Sequence, residues 1–536
     1  MLAAMRDQHP LYESLLASFA ASQEGRPPRP SAAIVPWRRD PAGALEVYWV
    51  RRSPELRFMG GWHAFPGGGL SRRDAAIEGL GSARGASETT ASRAQGPTTG
   101  VPELPPDVVP GLLACSLREL FEETGLLTTP ALTTTGPAEV EALDRLAAQR
   151  VDLLDKKISF AEVLASAPTT AEPLVFAGRW LTPPVAPMRF DNRFFLLEWP
   201  ADRAGQPTIL PGELAEGEWI APGRALARWQ GGEVMLAPPI VHLLQVLDEE
   251  GPEAGLDRMR EPEETFLGPF RRVEFRPGIL LLPLLTPTLP PATHTNAFLI
   301  GRQRAILVDP ASPIASEQER LEAAVDAFRA EGGEVAAIWL THHHQDHIGG
   351  VRRMRRYLGV PVLAHPLSSQ LLERAGIPLD GTLEDGHEHD LGGDGGTLRV
   401  CHTPGHTRGH LAFFHQATGS LIAGDLVSTL STIVIDPPEG EMGAYLDSLS
   451  AMAELAPSTL FPSHGPVILD AVAKLEEYHR HRLDREAQVL AAHRRGLETP
   501  ESMVAEIYAD VPPMVHPIAC RQIESHLIRL RNLGDI

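Results

Sequence analysis

A multidomain chain of mixed α/β and α+β architecture is predicted from three observations. The length holds several cores, strand-like apolar runs alternate with amphipathic helical runs, and two Pro/Gly-rich stretches punctuate the pattern. At 536 residues there is room for about two to four domains of roughly 150 residues each. Hydrophobic residues at 43% and charged residues at 22% are ordinary for folded protein and exclude global disorder.

The first punctuation, GSARGASETTASRAQGPTTGVPELPPDVVP at 81–110, has no apolar periodicity and reads as a flexible insertion over 79–110 inside the first domain. The second, EEGPEAGLDRMREPEETFLGP at 249–269, mixes charge with Pro and Gly and marks a boundary. The expected organisation is an N-terminal helical lead at 1–30, a first domain at 31–248, a linker at 249–278, a second domain at 279–470 and a helical C-terminal domain at 471–536.

Within the first domain, SAAIVPWRRDPAGALEVYWVRR at 31–52 predicts a hairpin, and CSLRELFEETGLL a helix ending at Gly125. In the second, GILLLPLL, NAFLIG and AILVDP predict strands, 316–331 a helix, and AAIWL a buried strand entering the loop THHHQDHIGG. From about 467 the pattern turns helical, as short helices with a terminal strand-like piece.

Sixty-nine acids against 48 Lys and Arg give a net charge of -21, which excludes general electrostatic attraction to nucleic acid or anionic membranes. Any nucleic-acid contact must be local. Cys115, Cys401 and Cys520 are far apart and form no CxxC, so they read as packing residues in a reducing compartment. The N-terminus lacks signal-peptide features, and no window offers ~20 uninterrupted apolar residues. A cytoplasmic protein without membrane association is expected.

In RELFEETGL at 118–126, Glu119, Glu122 and Glu123 fall at i, i+3 and i+4, on one helical face. Three clustered carboxylates repel one another unless a cation neutralises them, and hard oxygen ligands suit Mg²⁺ or Mn²⁺. A solvated face with Arg118 pairing locally is the competing reading. The stretch resembles the end of the Nudix box, the signature of hydrolases that cleave nucleoside diphosphates linked to another moiety. The resemblance implies an α/β/α sandwich in which Glu119, Glu122 and Glu123 bind the divalent metal, Glu122 and Glu123 serve catalysis, and Arg118 orients them. Leu104 and Pro110 stand where that box has its glycine and glutamate. HAFPGGGLSRRDAA at 63–76 resembles the box opening, displaced by the insertion. With RWLTPPVAPMRFDNRFFL at 179–196 and the R-x3-G-x3-FPGG spacing from Arg57, it resembles the CoA diphosphatase branch. That implies Arg57, Gly67, Gly68 and Arg118 at a small-molecule nucleotide or CoA-like substrate.

His342, His344, Asp346 and His347 form H-x-H-x-D-H on one loop, and His406 in TPGHT, Asp425 in AGD and His464 in PSHG follow on separate loops. Imidazole and carboxylate suit Zn²⁺, and seven such ligands are too many for one ion and right for two. The set resembles the metallo-β-lactamase superfamily, whose motifs occur in order over 279–470. That implies an αββα sandwich with His342, His344 and His406 on one zinc ion, Asp346, His347 and His464 on a second, and Asp425 bridging them. Asp346 is also a candidate to pass a proton to the leaving group. His343 reads as non-ligating, with His402 and His410 behind the ligands.

SHGPVILDAVAKLEEYHRHRLDREAQVL and IESHLIRLRNLGDI resemble the β-lactamase-like endoribonucleases with a C-terminal winged helix, which implies single-stranded RNA as a partner. VRRMRRY at 351–357 places four arginines beside the histidine loop, either to meet phosphate or as a solvated helix face. The expectation is a fused hydrolase, with diphosphate cleavage in the first domain and RNA phosphodiester hydrolysis in the second. The alternatives are a zinc-dependent acyl-CoA thioesterase coupled to the Nudix site, and a Nudix half that senses ligand without turnover.

Overall fold

In the computed structural model, residues 28–56, 59–84, 108–129, 137–182, 189–202, 205–260, 273–509 and 511–536 are described. They divide between two compact units that meet in sequence at Arg271 and Arg272. The predicted lead up to residue 27, the insertion over 85–107, Arg57 and residues 183–188 lie outside the described residues.

The first unit is built on a mixed sheet. Its central strand Arg29–Arg39 pairs antiparallel with Leu45–Arg52 and parallel with Phe190–Glu198. Val175–Leu181 and Leu214–Ile220 extend it on either side, and the short Gly67–Gly69 lies on Ser31–Ala33. Residues 32–35 are apolar throughout because successive side chains point to opposite faces and both faces are covered. Ala32 and Ile34 enter a core with Leu117, Leu120 and Phe121. Ala33 and Val35 enter another with Leu243, Leu244 and Val246 from the helix Pro238–Glu249. The result is helices on both faces of one sheet.

The glutamate helix runs Val108–Thr124. It stops at Gly125, whose φ of +77° is the left-handed turn that glycine accepts without strain, and its amide donates to Phe121 O at 2.8 Å. The stretch expected as a linker carries the short helices Gly251–Ala254 and Leu256–Arg260. Met259 is fully buried there, so an apolar anchor outweighs the Pro/Gly composition around it.

The second unit stacks a seven-stranded sheet on a five-stranded one. Ile279, Phe298, Ile306 and Trp339 from the first meet Val400, Leu411, Phe413, Ile422 and Phe461 from the second. Phe298 meets Phe461 edge-on at 6.1 Å, and Trp339 lies 5.3 Å from Phe413. On the outer face of the five-stranded sheet, Tyr445, Leu446 and Leu449 of the helix Met442–Glu454 cover Ala412, Leu421 and Leu460.

Each motif loop leaves this sandwich at a strand end. The histidine loop follows Glu334–Trp339, Asp425 follows Ser420–Gly424, and His464 follows Thr459–Pro462. His406 lies between the strands Thr397–His402 and Leu411–His415. Beyond it the tail forms helices Ala471–Arg494, Pro500–Ile507 and His516–Leu533, joined by a small core of Val489, Met503, Ile523 and Leu527. The strand-like piece expected there does not occur among the described residues, because Ile523, Leu527 and Leu530 repeat at the helical period on one buried face.

Trp339→Ala should lower the stability of the second unit by about 3–5 kcal/mol, read as a fall in its denaturant midpoint. A change below about 1 kcal/mol would mean that the inter-sheet core does not depend on this ring.

Candidate metal centre

The seven predicted ligands converge on one buried pocket in the second unit. His344 Nδ1 lies 3.0 Å from both His342 Nε2 and His406 Nε2. On the other side, His464 Nε2 is 3.6 Å from Asp346 Oδ2. Asp425 stands between the two sets. Its Oδ2 is 3.9 Å from His342 Nε2 and 3.4 Å from His406 Nε2, while its Oδ1 is 3.6 Å from His347 Nε2 and 3.3 Å from His464 Nε2. The groups able to share an ion are His342–His344–His406, His342–His347–Asp425 and Asp346–His347–His464.

The residues fit divalent cations on a specific ground. His347 Nε2 and Asp425 Oδ1 are buried polar atoms without a hydrogen bond, and both aim into this pocket. Buried groups of this kind are otherwise costly. A set of imidazoles with carboxylates is also the donor chemistry of borderline cations.

The outward nitrogens of four rings are held by the frame, which fixes their inward ones. His347 Nδ1 is 2.8 Å from Asp309 Oδ2, His342 Nδ1 is 3.0 Å from Thr341 Oγ1, His406 Nδ1 is 2.7 Å from Val434 O and His464 Nδ1 is 3.0 Å from His294 O. Asp309 also accepts from the amide and hydroxyl of Thr341. His410 Nε2 accepts from the Asp425 amide at 3.0 Å, and its Nδ1 meets Thr403 Oγ1 at 2.8 Å.

Electrostatics divide the histidines. Burial, then neighbouring imidazoles, hold His342 and His344 well below the usual range, in the neutral form a ligand needs. Burial also acts against charge on His347 and His464, but the carboxylates around them, Asp425 with Asp309 for His347 and Asp425 with Asp346 for His464, together raise both. Burial opposes ionisation of Asp425 too, and His464 and His347 overcome it, holding the carboxyl well below its usual value.

The remaining histidines stay outside. His343 belongs to no converging group, and burial lowers it to about 4. His402 stacks on His365 at 4.0 Å, with Nε2 2.9 Å from Arg408 O. Two of the neighbouring arginines are already engaged, Arg353 by Glu322 at 2.7 Å and Arg355 by Asp380 at 2.6 Å.

In the first unit, Glu119, Glu122 and Glu123 share a helix face but are drawn to different partners. Arg118 donates to Glu119 Oε1 at 2.8 Å and to Glu122 Oε2 at 2.7 Å, while Glu123 Oε2 accepts from the Gly67 amide at 2.9 Å. Among the described residues the three form no converging ligand group. Burial raises all three carboxyls, Glu119 to about 7 and Glu123 well above the usual range, so the cluster favours an added cation.

Gly67 is required by close approach of backbone, and Gly68 lies against the Glu119 carboxylate. A Cβ on Gly67 would fall 2.5 Å from Ala32 O, and one on Gly68 2.3 Å from Glu119 Oε1. Sequence reasoning missed Asp74, which is fully buried and accepts from Arg118 Nε at 2.8 Å and Nη2 at 3.0 Å. The signal was present: Asp74 lies six residues after Gly68, the spacing from which the box acid was judged absent at Leu104 and Pro110. Asp309 was missed as well, although it ends the apolar run AILVD.

Comparison with known proteins follows the same division. The metallo-beta-lactamase superfamily model matches residues 290–464, the NUDT19 Nudix domain model 15–247, and the beta-lactamase associated winged helix domain model 499–536. The chain is 29% identical over 254 residues to the Beta-lactamase-like protein 2 homolog of Drosophila melanogaster, covering 45% of this chain and 84% of that protein. It is 32% identical over 248 residues to the Lactamase-like protein adaB of Aspergillus niger, covering 46% and 70%. With the atrochrysone carboxyl ACP thioesterase of Aspergillus chevalieri it shares 30% identity over 251 residues, covering 45% and 76%.

Asp74→Asn should destabilise the first unit by about 2–3 kcal/mol, the scale of a charged hydrogen bond lost in a buried setting. Urea unfolding followed by tryptophan fluorescence measures it. An unchanged midpoint would show that Glu119 and Glu122 alone satisfy Arg118.

Proposed function

Because the chain belongs to the metallo-β-lactamase superfamily, with a Nudix domain before it and an associated winged helix after it, it is a metal-dependent hydrolase, and we propose that it carries two hydrolytic centres. The observation that carries the centre in the second unit is the pair of triads facing opposite oxygens of Asp425. His342, His344 and His406 would hold one zinc ion and Asp346, His347 and His464 a second, with Asp425 the carboxylate shared between the two sets. Cations bound there lower the pKa of water and polarise the carbonyl or phosphoryl group under attack. Asp309, Thr341 and the Val434 and His294 carbonyls keep the imidazoles aimed inward. Asp346, 3.6 Å from His464 Nε2, also relays a proton from the attacking water to the leaving group.

In the first unit, Glu119, Glu122 and Glu123 hold Mg²⁺ or Mn²⁺, and the substrate is a diphosphate of CoA-like or nucleotide type. Glu122 and Glu123 are its catalytic carboxylates. Arg118, fixed by Asp74, sets their spacing, and the Gly67–Gly68 backbone approaches the substrate beside them. Phosphate ligands fit this site because Mg²⁺ is held by few carboxylates together with substrate oxygens.

The bond cleaved at the zinc centre is the phosphodiester of single-stranded RNA. The order of the histidine motifs and the winged-helix match at 499–536 support it. A second reading, hydrolysis of an acyl thioester, is favoured by the likeness to a protein named as a thioesterase. The net charge of -21 and the acid-paired Arg353 and Arg355 also suit a small acyl substrate better than a polyanion.

The intact protein should be screened against RNA, acyl-CoA, CoA and nucleotide sugars with its metal content measured. His344→Ala should reduce zinc-dependent RNA cleavage at least about 100-fold. Activity on acyl-CoA with none on RNA replaces the first reading by the second. Glu122→Gln should remove Mg²⁺-dependent diphosphate cleavage while leaving the zinc reaction intact.

A further inference from the structure

Between Asp425 and the helix Met442–Glu454 the chain runs as a loop without regular structure, and this loop supplies the Val434 carbonyl that faces His406 Nδ1 at 2.7 Å. The His406 ring is therefore only as well oriented as that loop. Loops lack ladder hydrogen bonds, so their position depends on side chains from elsewhere.

The C-terminal helices provide them. The Tyr478 hydroxyl accepts from the Ser428 amide at 3.0 Å and lies 2.6 and 2.7 Å from the carbonyls of Ser428 and Ser431. Arg521 donates to Asp436 and to Pro437 O. Between these points Arg482 donates to Ile433 O, one residue before the carbonyl that holds His406.

Arg482 is unusual in its setting. Its side chain is 1% exposed, its Nη1 donates to Gln522 Oε1 at 3.2 Å, and its guanidinium lies 5.4 Å from the Tyr445 ring centre. Among the described residues it forms no ion pair. A buried cation without a carboxylate is costly, and an apolar side chain of similar volume would pack there at lower cost. What an apolar side chain cannot do is donate to the Ile433 carbonyl.

Resting on the two-triad reading above, we propose that Arg482 is a positioning residue for the centre. By fixing the Ile433–Val434 backbone it orients His406, so the C-terminal tail sets the affinity of the His342–His344–His406 site. The other triad has no contact with Arg482: His464 Nδ1 is backed by His294 O, its carbonyl accepts from Ser428 Oγ at 3.2 Å near the Tyr478 anchor, and Asn296 Nδ2 donates to Pro462 O and Gly465 O at 2.9 Å each.

Full-length wild type, Arg482→Met and Arg482→Lys, loaded with Zn²⁺, should be titrated with a competing chelator while bound metal and thermal midpoint are followed. Wild type should hold two equivalents. Arg482→Met should weaken one equivalent about tenfold, the usual scale for losing a partner behind a ligand, and leave the other unchanged. Arg482→Lys should fall between them, and it decides the matter should Arg482→Met fail to fold. Equal weakening of both equivalents in step with the thermal midpoint overturns the inference, as does unchanged binding of both. Fewer than two equivalents in wild type overturns the reading of the centre itself, and the inference with it.

Discussion

The second unit is organised around the burial of one carboxylate. Asp425 is almost entirely enclosed, and an ionised carboxylate in such a place costs several kcal/mol unless positive charge meets it. Four imidazole nitrogens lie within 3.9 Å of its oxygens, yet Oδ1 has no hydrogen bond. Positive charge must come from protons on His347 and His464, which the same carboxylate raises, or from cations that displace those protons. Metal binding and proton release are thus coupled at this residue.

Such an arrangement needs a frame that does not relax, because a collapsed pocket would satisfy Asp425 with the nearest histidine alone. The sandwich prevents collapse by bringing ligands from four separate loops and tying each ring behind. Asp309, at the end of Arg304–Val308, holds both the Thr341 backbone and His347. Gly424, just before Asp425, sits so near His410 that a Cβ would fall 2.6 Å from its Nε2. That contact lets His410 accept from the Asp425 amide. The neutral ring is maintained because burial, then His406, lowers His410 to about 3.

Much of this was legible because ligands carry their chemistry in residue type. His342, His344, Asp346 and His347 are crowded on one loop, and no packing argument calls for that crowding. The strands were legible where side chains are apolar on both faces, as at 32–35. The supports were not, since a backbone carbonyl such as Val434 O has no sequence signature and becomes a partner only through the fold. Asp74 was hidden for a different reason. Its insertion separates it from Arg118 by 44 residues, so a pattern read at fixed distance finds Pro110 instead. Within the stretch read as a linker at 249–278, the boundary between units falls at Arg271 and Arg272, while Met259 before it is buried in the first unit's core.

The two units answer the same electrostatic problem in opposite ways. In the first, the clustered acids are met by a cation the chain supplies: Arg118 spans Asp74, Glu119 and Glu122, and its side chain is only 15% exposed. A divalent ion there must share those oxygens with a guanidinium, which suits an ion that arrives with substrate phosphates and leaves with product. In the second, among the described residues no Lys or Arg pairs with Asp425, and the compensating groups are imidazoles, whose protons a bound cation can displace. A guanidinium stays charged and cannot act as a ligand, whereas an imidazole freed of its proton becomes one. Under the proposed function, the choice of compensating side chain would therefore separate a site suited to transient loading from one suited to a resident pair of ions.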